Sequence, residues 1–88
     1  MFTIRNYKNY IKIRNDKPVG KYAIEFSIDK TQSYNALIVE SINKCKLFDQ
    51  KHNFNDGISF KYKGVIFTFE SYNHLAKLLV EIAQGNVK

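Results

Sequence analysis

Apolar and polar residues alternate with a period of two at both ends of the first quarter of the chain, which predicts strands, but the phase changes between them. Phe2 and Ile4 alternate with Thr3 and Arg5, whereas Ile11 and Ile13, of opposite parity, alternate with Lys12 and Arg14. Asn6 to Asn9 supplies the reset, as a turn or a bulge, because asparagine tolerates the left-handed backbone that such sites need. Asn15 to Gly20 then reads as a loop, and Tyr22, Ile24, Phe26 and Ile28 as a second period-two strand, so the first unit is a hairpin.

The period changes after Asp29. Tyr34, Ile38, Ser41, Ile42, Cys45 and Phe48 recur at three- and four-residue spacing behind the helix-starting side chains of Asp29 to Ser33, which predicts a helix from about Ser33 to Phe48. The polar stretch Asp49 to Gly57 reads as a connecting loop. Ile58, Phe60 and Tyr62 alternate into Lys63-Gly64, and Val65, Phe67 and Phe69 alternate out, so a two-residue turn pairs Tyr62 with Val65, Phe60 with Phe67 and Ile58 with Phe69. Ser71 caps a second helix over 72–84, stopped by Gly85-Asn86. Leu75, Ala76, Leu78, Leu79, Val80, Ile82 and Ala83 cover about 200° of that helix, where packing on one sheet needs only about 100°. The surplus is expected to meet the first helix or a partner, with Leu78 and Val80 as the candidate protein-interface residues.

These elements make an α+β two-layer sandwich in ββαββα order: a four-stranded, mostly antiparallel sheet with both helices on one face. The 88 residues form a single domain, 1–88, with a first ββα unit over 1–48, a loop over 49–57 and a second unit over 58–85. Gln32 to Leu37 matches Glu70 to Leu75 at an offset of 38, which points to an internal ββα duplication or to ordinary cap chemistry met twice. Lys63-Gly64-Val65-Ile66-Phe67-Thr68-Phe69 partly resembles the core strand motif of RNA-recognition domains. Lys63, Gly64 and Phe67 fit, while Val65 and Ile66 stand where a stacking aromatic and a small residue belong, and the element order matches only as a circular permutant. What that resemblance implies is RNA binding on a sheet.

Charge changes the picture more than composition does. The chain carries 14 Lys and Arg against 8 Asp and Glu, a net +6, and within Ile4 to Tyr22 six basic residues face only Asp16. Such a balance points to an anionic partner, although twelve of the basic residues are Lys, and abundant Lys, Asn, Ile, Tyr and Phe also mark an AT-rich genome such as that of a low-GC bacterium or its phage. With the helices on one face, the other is expected to show Arg5, Tyr10, Lys12, Arg14, Lys21 and Lys61: lysines and arginines to follow phosphates and a tyrosine ring to stack on a base. Lysines on strands also keep sheet edges soluble, so each one alone is weak testimony.

Catalytic chemistry finds little support in the sequence. Cys45 is single, His52 and His74 are distant from each other without ligand spacing, and paired carboxylates or a phosphate-binding glycine loop are missing, so no metal and no cofactor are expected. A small ribonuclease using His52 or His74 with Glu70 and a lysine is a remote alternative. No apolar run is long enough to span a bilayer and the charged start is unlike a signal peptide, which predicts a cytoplasmic protein with no membrane contact. The expectation is therefore a small non-enzymatic basic protein, monomer or homodimer, binding RNA or single-stranded nucleic acid. The alternative is an inhibitor or adaptor of phage or mobile-element type, docking on an acidic host protein such as a nuclease or defence complex.

Overall fold

Five period-two stretches become five strands in the computed structural model, which describes residues 1–15 and 25–87. They are β1 (Phe2–Asn6), β2 (Tyr10–Asn15), β3 (Glu25–Asp29), β4 (Ile58–Tyr62) and β5 (Val65–Phe69), in one sheet of spatial order β3-β2-β1-β4-β5. The expected loop residues 16–20, the start of the strand expected from Tyr22, and Lys17 and Lys21 lie outside the described residues.

The sheet has one strand more than expected, and Asn6–Asn9 is the reason. It is a turn, closed by the Tyr7 N–H donating to the Tyr10 carbonyl at 2.9 Å, so the chain reverses there. Ile4 then pairs with Ile13 and Asn6 with Ile11, and in a register of this kind opposite parity is what brings apolar side chains to the same face. β2 and β3 pair antiparallel in turn, with Ile11 opposite Ile28 and Ile13 opposite Phe26. The β4–β5 hairpin has the expected register, Tyr62 to Val65, Phe60 to Phe67 and Ile58 to Phe69. Its two-residue turn has φ of 50° at Lys63 and 82° at Gly64, the left-handed pair that matches strand twist. β1 and β4 meet in parallel, through only Phe2–Phe60 and Thr3–Lys61, and this makes the sheet mixed.

Two helices cover one face. α1 (Tyr34–His52) starts at Ser33, whose Oγ accepts from the Ala36 N–H at 3.3 Å, and α2 (Tyr72–Ala83) starts at Ser71, whose Oγ accepts from Asn73 at 3.3 Å. The repeated Ser-Tyr-Asn is thus cap chemistry at both sites, while the units around it differ: three strands before a 19-residue helix, two before a 12-residue one. α1 runs past the expected end at Phe48 to His52. Asn53, with φ 52°, stops it by donating its N–H to the Asp49 carbonyl at 2.8 Å. Asp49 Oδ1 then accepts from the Phe54 N–H, and a 3-10 turn (Phe54–Asp56) drops Phe54, 1% exposed, into the core. The polar stretch 49–57 is therefore structured, because one aromatic ring anchors it.

Ile4, Ile11, Ile13, Ile28, Phe60 and Tyr62 from the sheet meet Leu37, Cys45 and Phe48 of α1 and Leu75, Leu79 and Ile82 of α2 in one core. The wide apolar arc of α2 is accounted for by α1: Ala76 and Val80 line the cleft between the helices opposite Ile38 and Ile42. Val80 is 8% exposed and Leu78 is half-buried against the core. The large apolar side chains left open on the helix layer belong to α1 instead, at Tyr34, Val39 and Leu47. No helix among the described residues is long and apolar enough to cross a membrane.

Candidate nucleic-acid interface

The face away from the helices is assembled by register. On the β1–β2 hairpin three cross-strand pairs follow one another along it: Thr3–Arg14, Arg5–Lys12, and Tyr7–Tyr10 at the turn. β4 adds Lys61 beside Thr3, and β3 adds Glu25 opposite Arg14 and Ser27 opposite Lys12. The two arginines and two lysines thus come from three adjacent strands at the centre of the sheet, a few ångströms apart in the pairing direction. Among the described residues the acidic groups near this face come from β3: Glu25 reaches Lys12 at 3.5 Å, and Asp29 is turned to the start of α1.

Arg5 and Lys12 are like charges directly opposite each other, an arrangement that costs stability in a bare sheet. Lys12 is partly relieved by Glu25, whereas Arg5, Arg14 and Lys61 make no ion pair with any described residue. Between the diverging ends of β1 and β4 a shallow groove runs beside them, lined by Thr3, Arg5, Asn6, Tyr7, Lys61 and Lys63.

The aromatic end is built as firmly as the cationic centre. Tyr7 and Tyr10 stack with ring centroids 4.8 Å apart and planes 27° from parallel, the two residues 42% and 41% exposed. Lys30 fixes the turn that carries them, its Nζ donating to Asn6 Oδ1 at 2.7 Å and to the Tyr7 carbonyl at 2.8 Å, while its backbone N–H donates to the Asn9 carbonyl. Asp29 steadies the same corner: Oδ1 accepts from both the N–H and the hydroxyl of Thr31, which holds its carboxyl below the usual aspartate range.

Of the expected interface residues, Arg5, Tyr10, Lys12, Arg14 and Lys61 share this face, and Lys21 lies outside the described residues. Tyr7 joins Tyr10 as its stacked partner, and Lys63 at the groove rim emerges only from the register. The motif resembling RNA-recognition domains contributes no ring here. Phe67 points to the helices and lies parallel to Phe69 at 6.3 Å, and Ile66 and Thr68 take the open side, Thr68 hydrogen-bonded to Ser59 at 2.9 Å.

Neither histidine belongs to the basic face. His52 ends α1 and packs on Phe48 at 4.5 Å and Phe2 at 5.6 Å, its Nε2 buried without a partner, and burial, then the charge of Lys51, pushes its pKa below the usual value. His52 thus belongs to the last turn of α1 and not to the connecting loop expected over 49–57. His74 is exposed on α2. Among the described residues no group of three or more His, Cys, Asp or Glu could hold a metal ion. Compared with protein families, curated proteins and solved structures, the chain matches none.

Proposed function

We propose that this protein binds RNA or another single-stranded nucleic acid on the open face of its sheet, without catalysing a reaction, in the cytoplasm. The observation that carries the reading is the continuous run on the β1–β2 hairpin from Arg14 through the facing pair Arg5–Lys12 to the stacked Tyr7–Tyr10 platform. A polyanion lying across the cations relieves the repulsion between Arg5 and Lys12, and an unpaired base at the same strand's end stacks on the exposed tyrosine rings, worth about 1–3 kcal/mol per base. A duplex keeps its bases stacked inside and offers the platform nothing, and two arginines give little scope for bidentate reading of guanine.

Fluorescence anisotropy with a labelled oligouridine tests this. Binding is expected to weaken steeply with salt and to disappear when Arg5, Arg14 and Lys61 are all changed to Glu. Binding that is unchanged in that triple variant overturns the reading.

A second reading, an inhibitor or adaptor that docks on another protein, is favoured by the cleft between the helices, where Tyr34, Ile38, Ile42, Ala76 and Val80 form an apolar floor edged by Lys77 and Glu81. A purified protein with no excess absorbance at 260 nm from nucleic acid that retains one specific partner in a pull-down, with the retention lost on Ile42→Asp, decides for it.

A further inference from the structure

The two edges of the sheet are finished differently. At β3 two outward-pointing backbone groups are taken by α1: the Asp29 N–H donates to Glu40 Oε1 at 3.1 Å, and the Ser27 carbonyl accepts from Lys44 Nζ. Glu40 and Lys44 are themselves paired at 3.4 Å, which closes that edge with a small charged clasp. At β5 no described residue provides such cover.

Counting the ladder from the two-residue turn, Tyr62–Val65, Phe60–Phe67 and Ile58–Phe69 are the hydrogen-bonded pairs. The N–H and C=O groups of Ile66 and Thr68 therefore point away from β4, and no described residue bonds them. Val65–Phe69, VIFTF, has none of the usual protections of an edge strand: no lysine, no proline and no bulge. Val65 and Ile66, on opposite faces of this edge, are 55% and 56% exposed.

We infer that the β5 edge pairs with β5 of a second copy of this chain, antiparallel about a two-fold axis at Phe67, to make one continuous ten-stranded sheet. The strand is complementary to itself in that register. Ile66 stands opposite Thr68 of the second copy, so all four outward groups on each strand are used and four hydrogen bonds form across the axis. Val65 meets Phe69 of the other copy, and Phe67 meets Phe67, which covers the aliphatic surface that the single chain leaves open. Strands Val65–Phe69 carry no charge, so they meet without repulsion although each chain is at +6. Beyond the strands, Glu70 of each copy comes next to the Lys63–Gly64 turn of the other, placing an acid beside a base at both ends of the interface. A five-residue edge is smaller than the ~800 Å² per partner of a standard interface, so the association belongs in the micromolar range or weaker. Both helix layers lie on one side of the joined sheet and both basic faces on the other.

The inference does not depend on nucleic-acid binding and is tested on nuclease-treated protein. Sedimentation equilibrium over about 1 μM to 1 mM is expected to show the mass rising from 10.3 kDa towards twice that value. Ile66→Pro removes an outward N–H and touches no bond to β4. It deletes two of the four cross-axis hydrogen bonds, so the dimer is expected to weaken about 30-fold. Thr68→Lys, which puts a cation on the same edge, is the second variant, and thermal unfolding by circular dichroism verifies that each still folds. A chain that stays monomeric through the whole range overturns the inference. So does a dimer whose dissociation constant is unchanged in the folded variants.

Discussion

Replacing Arg5 by Thr separates the cost of the basic face from its use. Arg5 and Lys12 are directly opposite across β1 and β2, in a pair whose Cα atoms are about 5.5 Å apart when hydrogen-bonded. With the charged heads splayed to about 7 Å in water, their repulsion is about 0.6 kcal/mol, and the Glu25 carboxylate near Lys12 offsets part of it. Thr is neutral and suits a strand, so Arg5→Thr is expected to stabilise the protein by about 0.5 kcal/mol at low ionic strength, a rise of about 2–4 °C in Tm. At about 0.5 M salt the Debye length is only a few ångströms, and the gain should shrink to what Thr contributes as a strand former. The same variant loses one phosphate contact, so the slope of log affinity against log salt for a single strand should become shallower by about 0.7. Urea unfolding at two salt concentrations and anisotropy titrations across a salt series measure the two effects. If Arg5→Thr destabilises the fold at both salt levels, or leaves the binding slope where it was, Arg5 and Lys12 are not a repelling pair that a bound anion relieves.

Three further outcomes are expected. Tyr10→Ala should weaken oligouridine binding by about 1–3 kcal/mol while leaving the salt slope unchanged, since a ring stacks on bases and releases no counterions; titrations of the variant across the same salt series show whether it does. His52→Phe should raise stability by about 1 kcal/mol at pH 7, because it removes a buried nitrogen without a partner, and should flatten the pH profile. The sign follows from the depressed pKa: protons favour the unfolded chain, so the wild type is at full strength above the ordinary value of 6.5 and weakens as pH falls below it, and melting curves between about pH 5 and 8 check this. Cys45, fully buried, has its thiol pushed up to about 12 by desolvation; it should resist a thiol reagent at about pH 8 until urea unfolds the chain, with the labelling rate tracking global unfolding.

Much of this architecture is readable from parity alone. Ile58 to Phe69 alternates around Lys63-Gly64 so regularly that the register of the β4–β5 hairpin follows from the letters, and so does the assignment of Arg5, Lys12, Arg14 and Lys61 to one face. The extra strand was equally visible in the parity switch between Ile4 and Ile11, but a bulge and a turn produce the same switch, and only the Tyr7–Tyr10 closure distinguishes them. The true end of α1 is hidden because Asp49 to His52 is polar, and helical geometry there depends on a cap at Asn53 and on Phe54 finding the core from outside the helix. Strand order left no local mark at all, since β1 meets β4 through two residue pairs far apart in sequence. For the same reason Lys63 could not be placed beside Arg5 from the chain alone: the groove they share exists only once that contact is made.

The brief parallel contact between β1 and β4 also has a kinetic consequence. The β1–β2 and β4–β5 hairpins pair residues close in the chain and can form on the microsecond scale, whereas the Phe2–Phe60 contact must close a long segment that includes β2, β3 and the whole of α1. The union of the two halves is thus expected to be the late event in folding, with α1 packed on α2 above the two residue pairs of the seam. The amide protons of Ile4 and Lys61, which point across this seam, should exchange sooner than those paired within either hairpin, because the chain can part along this line while both halves keep their own hydrogen bonds.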